Sequence, residues 1–209
     1  NEDILPLVDE ADIKKFRDRA LTPERPVTRG TNENPETFFT HREASNKHYE
    51  AVPEVVEELM GKISKVCGRE YHLFTYYGAK DAENIMGSAT EAAREAIDYL
   101  IANGKKVGMI SVHLFRPFSV KHLLAAVPKT VKRIAVLDRT KEPGANGEPL
   151  YRDVKTAFYD VENRPLIVGG RYGLGSCDTT PAQFISVYDN LELPQPKDHF
   201  TMGIIDDVT

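Results

Sequence analysis

Tryptophan is absent from the 209 residues, and cysteine occurs only at Cys67 and Cys177, with no CxxC pair. Two distant thiols encode neither a disulfide framework nor a cysteine-held zinc or iron–sulfur site, and they suit a reducing cytoplasm. No window approaches 18 apolar residues, which argues against a membrane-spanning helix. No run of five like charges occurs either, and the formal net charge is -5. With a pI near 5.7, that balance argues against nucleic acid or an anionic membrane as the main partner. The six histidines, His41, His48, His72, His113, His122 and His199, show neither HExxH nor HxH spacing, so no metal site is expected; His113, at a strand end, reads as a hydrogen-bonded core histidine. A G-x-S-x-G elbow is missing, and neither cysteine has a base partner visible in the sequence. The opening NEDILPLVDEADIKK is neither a signal peptide nor an initiator Met, so the chain reads as a piece of something longer.

What is present suits one α/β core with an appended arm: 41% of residues are hydrophobic, and strand patterns alternate with helical ones. The chain is organised around MGSATEAAREAIDYLIANGKKVGMISVHLFRPF, residues 86–118. Ser88 and Glu91 have the spacing of a capping box. Ala89, Ala92, Ala93, Ala96, Ile97, Leu100 and Ile101 recur at helical spacing, with Glu91, Arg94, Glu95 and Asp98 opposite. Gly104 supplies a helix stop, and Val107–Val112 is apolar on both faces, as a covered parallel strand requires. The strand feeding this helix is expected at Glu83–Met86, short for a central position.

Residues 1–50 read as an arm and linker and 51–209 as the α/β domain. The arm holds a short helix near Glu10–Leu21 and an extended stretch, Thr22–Thr40, pinned by Phe38 and Phe39. A helical pattern then runs from His41 to Cys67, with Pro53 opening a second helix whose Val55, Val56, Leu59 and Ile63 face inward. Further on, Ser119 caps a helix stopped by Pro128, and Arg133–Asp138 is a second buried strand. Leu150 to Phe158 is helical, Pro165–Val168 is a strand, and Thr180-Pro181-Ala182-Gln183 is a capping box. Right-handed crossovers through these elements give a three-layer α/β/α sandwich on a mainly parallel sheet.

Two loops carry the candidate anion or interface residues: Arg139, Lys141, Gly144, Arg171 and Gly173. The loop from Asp138 to Gly147 follows a strand's carboxyl end, where open α/β sheets place ligands, and Arg139 and Lys141 suit a carboxylate or phosphate there. The structural alternative is an ion pair from Asp138 to Arg139 or Lys141 that stiffens the loop. The run GGRYGLGS, Gly169–Ser176, lies between a strand and a helix as a phosphate loop does, but it fits neither nucleotide signature and reads better as a structural turn. No catalytic set emerges from the residues themselves.

The central unit resembles the start of the carboxyl-terminal domain of the transketolase superfamily. Four further runs narrow the resemblance: RPVTRGTNENPETFF with HREASNKHYEAVPEVV, then VLDRTKEPGANGEPLYRDV and VGGRYGLGSCDTTPAQFISVYDNL. Together they resemble the pyruvate:ferredoxin (flavodoxin) oxidoreductase family from about Asp9 onward. That resemblance implies the end of a thiamine-binding domain followed by a transketolase C-terminal-like second domain. It implies an intact homodimeric enzyme of anaerobic metabolism that converts pyruvate to acetyl-CoA and CO2. The cofactors implied are thiamine diphosphate, Mg, [4Fe-4S] clusters and CoA, with ferredoxin or flavodoxin as electron acceptor. The fragment is then a scaffold that binds no cofactor itself. Two other readings are a free-standing nucleotide or CoA module using the Gly169–Ser176 and Arg139–Gly147 loops, and a pure assembly domain.

Overall fold

The computed structural model describes residues 2–28, 30, 32–88 and 92–204, and only the backbone of Ser88. The expected Ser88–Glu91 capping box lies outside the described residues. The chain forms two compact units, Asn1–His72 and Leu73–Thr209.

The first unit holds three helices: α1 (Glu10–Asp18), α2 (Pro35–Ala44) and α3 (Asn46–Cys67). Asp9 caps α1 by accepting the Ala11 N–H at 2.8 Å. Several expectations are corrected. Residues 35–40, expected to be extended, form the first turns of α2, because Pro35 occupies the first helical position, where its missing N–H costs nothing. Pro53 lies inside α3 and does not open it. It removes one internal hydrogen bond, and the chain breaks instead at Ser45, whose Oγ donates to the Arg42 carbonyl. Pro53 is also the single buried residue among those described in this unit. Phe38 and Phe39 are 53% and 68% exposed and pin nothing. Val55, Leu59 and Ile63, expected to face inward, lie along one exposed face of α3, and only Val56 is half-buried. The helix α3 also carries the unit past residue 50, to a boundary at His72.

The second unit is a six-stranded sheet in the order β1-β3-β2-β4-β5-β6. Its strands are β1 (Phe74–Gly78), β2 (Asn84–Ser88), β3 (Val107–Val112), β4 (Arg133–Asp138), β5 (Leu166–Arg171) and β6 (Phe200–Thr201). Only β1 runs antiparallel, against β3. The helices are α4 (Ala92–Ala102), α5 (Val120–Ala126), α6 (Pro149–Ala157) and α7 (Pro181–Glu192). Helices α4 and α7 pack on each other and on one face of the sheet, and α5 and α6 cover the other, giving the three layers. Alternation along the strands supplies both cores. Met86, Met109, Ala135, Leu137 and Val168 face α4 and α7. Ile85, Ile110, Ile134 and Val136 meet Leu123, Leu150, Val154 and Phe158 on the other side.

The entering strand is not short. Its pairing with β3 continues through Gly87↔Ile110 and Ser88↔Ser111, two residues past the expected end at Met86. The helix α4 buries Ala93, Ala96, Ile97 and Leu100 as its periodicity requires. It ends in a Schellman motif: Lys105 N–H donates to the Leu100 carbonyl at 3.0 Å and Gly104 N–H to Ile101 at 2.9 Å, with Gly104 at φ +81°. The capping box on α7 also forms, Thr180 N–H reaching Gln183 Oε1 at 2.9 Å and Gln183 N–H reaching Thr180 Oγ1 at 3.4 Å. Ser119 sits at the start of α5 but makes no cap bond; its hydroxyl meets His122 Nδ1 at 2.7 Å instead. His113 is exposed, so it is not a core histidine.

The crossovers do not all share a hand. The β2–α4–β3 and β5–α7–β6 connections step in opposite directions along the sheet with their helices on the same face, which forces opposite chirality. The usual rule rests on a helix packing beside the two strands it joins. Here α7 packs over β2 and β4, near the sheet centre, and the chain returns to the edge for a two-residue strand.

Candidate functional site

At the carboxyl edge of the sheet, Asp138 on β4 lies in register with Arg171 on β5. Both are buried, at 6% and 9% exposure, yet their charges point to different partners. Asp138 accepts the Leu150 N–H at 2.9 Å and the Tyr151 N–H at 3.0 Å, so it caps α6 from twelve residues away. The helix needs this because its own N-cap residue, Glu148, makes no side-chain cap bond. Burial pushes the Asp138 carboxyl above its ordinary range; the two backbone hydrogen bonds oppose that, and the negative charges of Glu148 and Asp153 add to it.

The expected ion pair from Asp138 to Arg139 or Lys141 does not form. Asp138 turns into the α6 layer, while Arg139 Nε donates to the Gly173 carbonyl at 2.8 Å. Lys141 Nζ lies 3.7 Å from Glu148 Oε1. Arg171 ties β6 to the sheet: Nη2 donates to the His199 carbonyl at 2.8 Å and to Thr201 Oγ1 at 2.9 Å, and Nη1 stands 3.5 Å from Glu148 Oε1.

Of the five predicted residues, Lys141, Arg171 and Gly173 line one cavity of about 540 Å³. Arg139 joins it through its grip on Gly173, which has φ +60°. Gly144 forms a turn at φ +79° and is not in the lining. A larger cavity, about 670 Å³, runs beside Leu166–Val168 of β5. Its cations are already engaged, Lys155 with Tyr151 and Asp198, and Arg164 with the Tyr159 carbonyl.

The Gly169–Ser176 run is not a phosphate loop. Gly169 and Gly170 lie within β5, where a Cβ would stand 2.8 Å from the Tyr151 ring and 2.4 Å from the Phe200 ring. These glycines make room for aromatic side chains, and α7 begins only at Pro181.

Sequence reasoning missed Asp198, Tyr151 and Glu148. Asp198 closes the open part of the β5 edge, taking the Gly169 N–H at 2.7 Å, the Tyr151 hydroxyl at 2.8 Å and the His199 N–H at 2.9 Å. Burial raises the Asp198 pKa, but these hydrogen bonds outweigh it and hold the carboxyl below its usual value. Tyr151 is pushed well above its ordinary value, first by burial and then by Asp198. Nothing local in the sequence announces a contact spanning 29 or 47 residues. The Glu148-Pro149 pair was a usable signal, since Pro149 marks the first helical position and leaves Glu148, a poor capping residue, just before it.

Among the described residues, no group of three His, Cys, Asp or Glu could hold a metal, and no helix is long and apolar enough to cross a membrane.

The chain is similar to known proteins along its whole length. Residues 82–184 match the family model for pyruvate:ferredoxin oxidoreductase core domain II, and residues 1–61 match that for the thiamine diphosphate-binding region of pyruvate flavodoxin/ferredoxin oxidoreductase. The whole chain aligns at 56% identity with 18% of the pyruvate-flavodoxin oxidoreductase of Enterobacter agglomerans. It aligns at 52% identity with 18% of the pyruvate:ferredoxin oxidoreductase of Moorella thermoacetica. The chain thus spans about a fifth of the length of these relatives. A solved 2-oxoglutarate:ferredoxin oxidoreductase from Magnetococcus marinus aligns over 77% of this chain and 24% of its own, with 17% identity and a TM-score of 0.43.

Proposed function

The chain belongs to the pyruvate:ferredoxin (flavodoxin) oxidoreductase family, and from that premise we propose that it is the structural and interface portion of such an enzyme. The intact enzyme oxidatively decarboxylates pyruvate to acetyl-CoA and CO2, with thiamine diphosphate, Mg and iron–sulfur clusters supplied by other parts of the polypeptide. It works as a cytoplasmic homodimer of anaerobic metabolism that passes electrons to ferredoxin or flavodoxin. The first unit is the end of the thiamine-binding domain, and the second is core domain II.

The observation that carries this reading is what the ionised groups do at the sheet's carboxyl edge, where α/β proteins commonly hold ligands. Asp138 fastens α6, and Arg171 fastens β6; at the neighbouring β5 edge, Asp198 completes the hydrogen bonding. Each acts on the backbone as a tie. The described part of the first unit buries Pro53 alone, and this reading assigns it no contact with thiamine diphosphate. Nor do two exposed cysteines fit a four-cysteine cluster.

A chimaera tests the reading. Placing this chain in the corresponding segment of the Klebsiella pneumoniae pyruvate-flavodoxin oxidoreductase, 55% identical, should preserve pyruvate-dependent flavodoxin reduction. The isolated chain with pyruvate, CoA and a viologen acceptor should show no turnover; appreciable turnover would refute the scaffold role.

A further inference from the structure

The cavity at the carboxyl edge of β4, β5 and β6 carries a charge that the ties do not use. Its wall presents Lys141 and Arg171, with Tyr172, Leu174, Met202 and Ile204 as the apolar lining. The carboxylate facing the two cations is Glu148, 4% exposed, at 3.7 Å from Lys141 and 3.5 Å from Arg171. A charge-assisted hydrogen bond closes to about 2.7–2.9 Å, so neither contact is a close pair. With Arg139 at Gly173 and the buried Asp138 beside Arg171 counted as well, three positive charges face two negative ones, and the wall is left with one net positive charge in partly desolvated surroundings. Such a wall favours an anion.

The remaining lining decides which anion. A phosphate group would want a cluster of free backbone N–H groups, but the first amides of α6 nearest this edge, Leu150 and Tyr151, are already taken by Asp138. A phosphate dianion would also exceed the single net charge. The apolar wall needs a hydrocarbon partner, and about 540 Å³ lies within the range of pockets for small organic ligands. The geometry points to a binding site for a monocarboxylate with an aliphatic tail, its carboxylate between Lys141 and Arg171 and its tail against Leu174, Met202 and Ile204. The inference rests on this cavity and not on the scaffold role, so either can fail without the other.

Arg171 also holds β6, so its removal would confuse binding with folding; Lys141, exposed on its loop, is the informative position. The test is titration of the 209-residue chain with sodium hexanoate, read from the backbone amide shifts of Gly173 and Gly203. Acetate and hexanamide serve as the tailless and uncharged controls. Saturable shifts with hexanoate are expected, none with hexanamide, and affinity for acetate weaker by about tenfold or more. Lys141→Gln should weaken hexanoate by about fivefold to tenfold while leaving the melting temperature in place. The inference is overturned if hexanoate gives no saturable shift, if hexanamide or acetate binds as well as hexanoate, or if Lys141→Gln has no effect.

Discussion

Removing the Asp138 carboxylate should separate β4 from α6, and the cost follows from its two hydrogen bonds. In Asp138→Ala, the Leu150 and Tyr151 amides both lose their acceptor in a buried setting. An unmade buried hydrogen bond costs about 1–3 kcal/mol, and loss of an N-cap alone costs about 1 kcal/mol. Relief of the buried negative charge offsets part of this, leaving a net loss of about 2–3 kcal/mol. Asp138→Asn keeps one acceptor oxygen and should cost about 1 kcal/mol. With urea slopes of about 1–3 kcal/mol per molar, the Asp138→Ala midpoint falls by about 1 M or more. With no tryptophan in the chain, the transition is best followed by circular dichroism in the tyrosine region, because Tyr151, Tyr172 and Tyr188 are buried in the second unit. The pH dependence adds a signed check. The folded pKa of Asp138 is raised above 3.8, so its contribution is full below that value and is lost as pH rises through the folded pKa. The stability gap between wild type and Asp138→Asn should therefore be wider near pH 4 than at pH 7. An Asp138→Ala midpoint within about 0.2 M of wild type would refute the assignment of the cap.

Asp198 should behave with the opposite sign. Its folded pKa is lowered, so its contribution is present above 3.8 and is lost as pH falls through the folded value; the melting gap between wild type and Asp198→Asn should shrink on acidification from pH 6. Gly170→Ala puts a Cβ 2.4 Å from the Phe200 ring and should cost about 1–3 kcal/mol in urea unfolding. Gly87→Ala meets nothing within 4 Å among the described residues and should gain about 0.4–1 kcal/mol in the same assay. Thr75 Oγ1 is a buried side-chain oxygen without a hydrogen-bond partner among the described residues; Thr75→Val should raise stability by about 1 kcal/mol, and a lowered melting temperature would count against that account.

Where structure depends on neighbours in the chain, the sequence was sufficient. The limits of β3 and β4 coincide with the expected segments because an unbroken apolar run bounded by charge or turn residues is a local pattern. The Gly104 stop and the Thr180 capping box are likewise complete within six residues. Three of the five candidate site residues meet at one cavity because each lies within a few residues of a strand's carboxyl end, a position that topology alone makes adjacent. Two local signals misled. A proline that can open a helix can also be absorbed inside one, as Pro53 is in α3, and a small polar pair after a short apolar run can extend the strand, as Gly87 and Ser88 do in β2.

The sequence by itself determined the alternation of strands and helices, the faces that helix α4 and the strands bury, the carboxyl end of α4 and the amino end of α7, because these rest on periodicity and on capping groups a few residues apart. Tertiary structure alone decided the roles of the charged groups. Asp138 became the cap of a helix beyond its loop, Asp198 the closing acceptor of the β5 edge, and Gly169 and Gly170 the space for Tyr151 and Phe200. A carboxylate or a glycine carries no mark of its distant partner. Which amide or ring it meets is set only when strands far apart in sequence are brought into register.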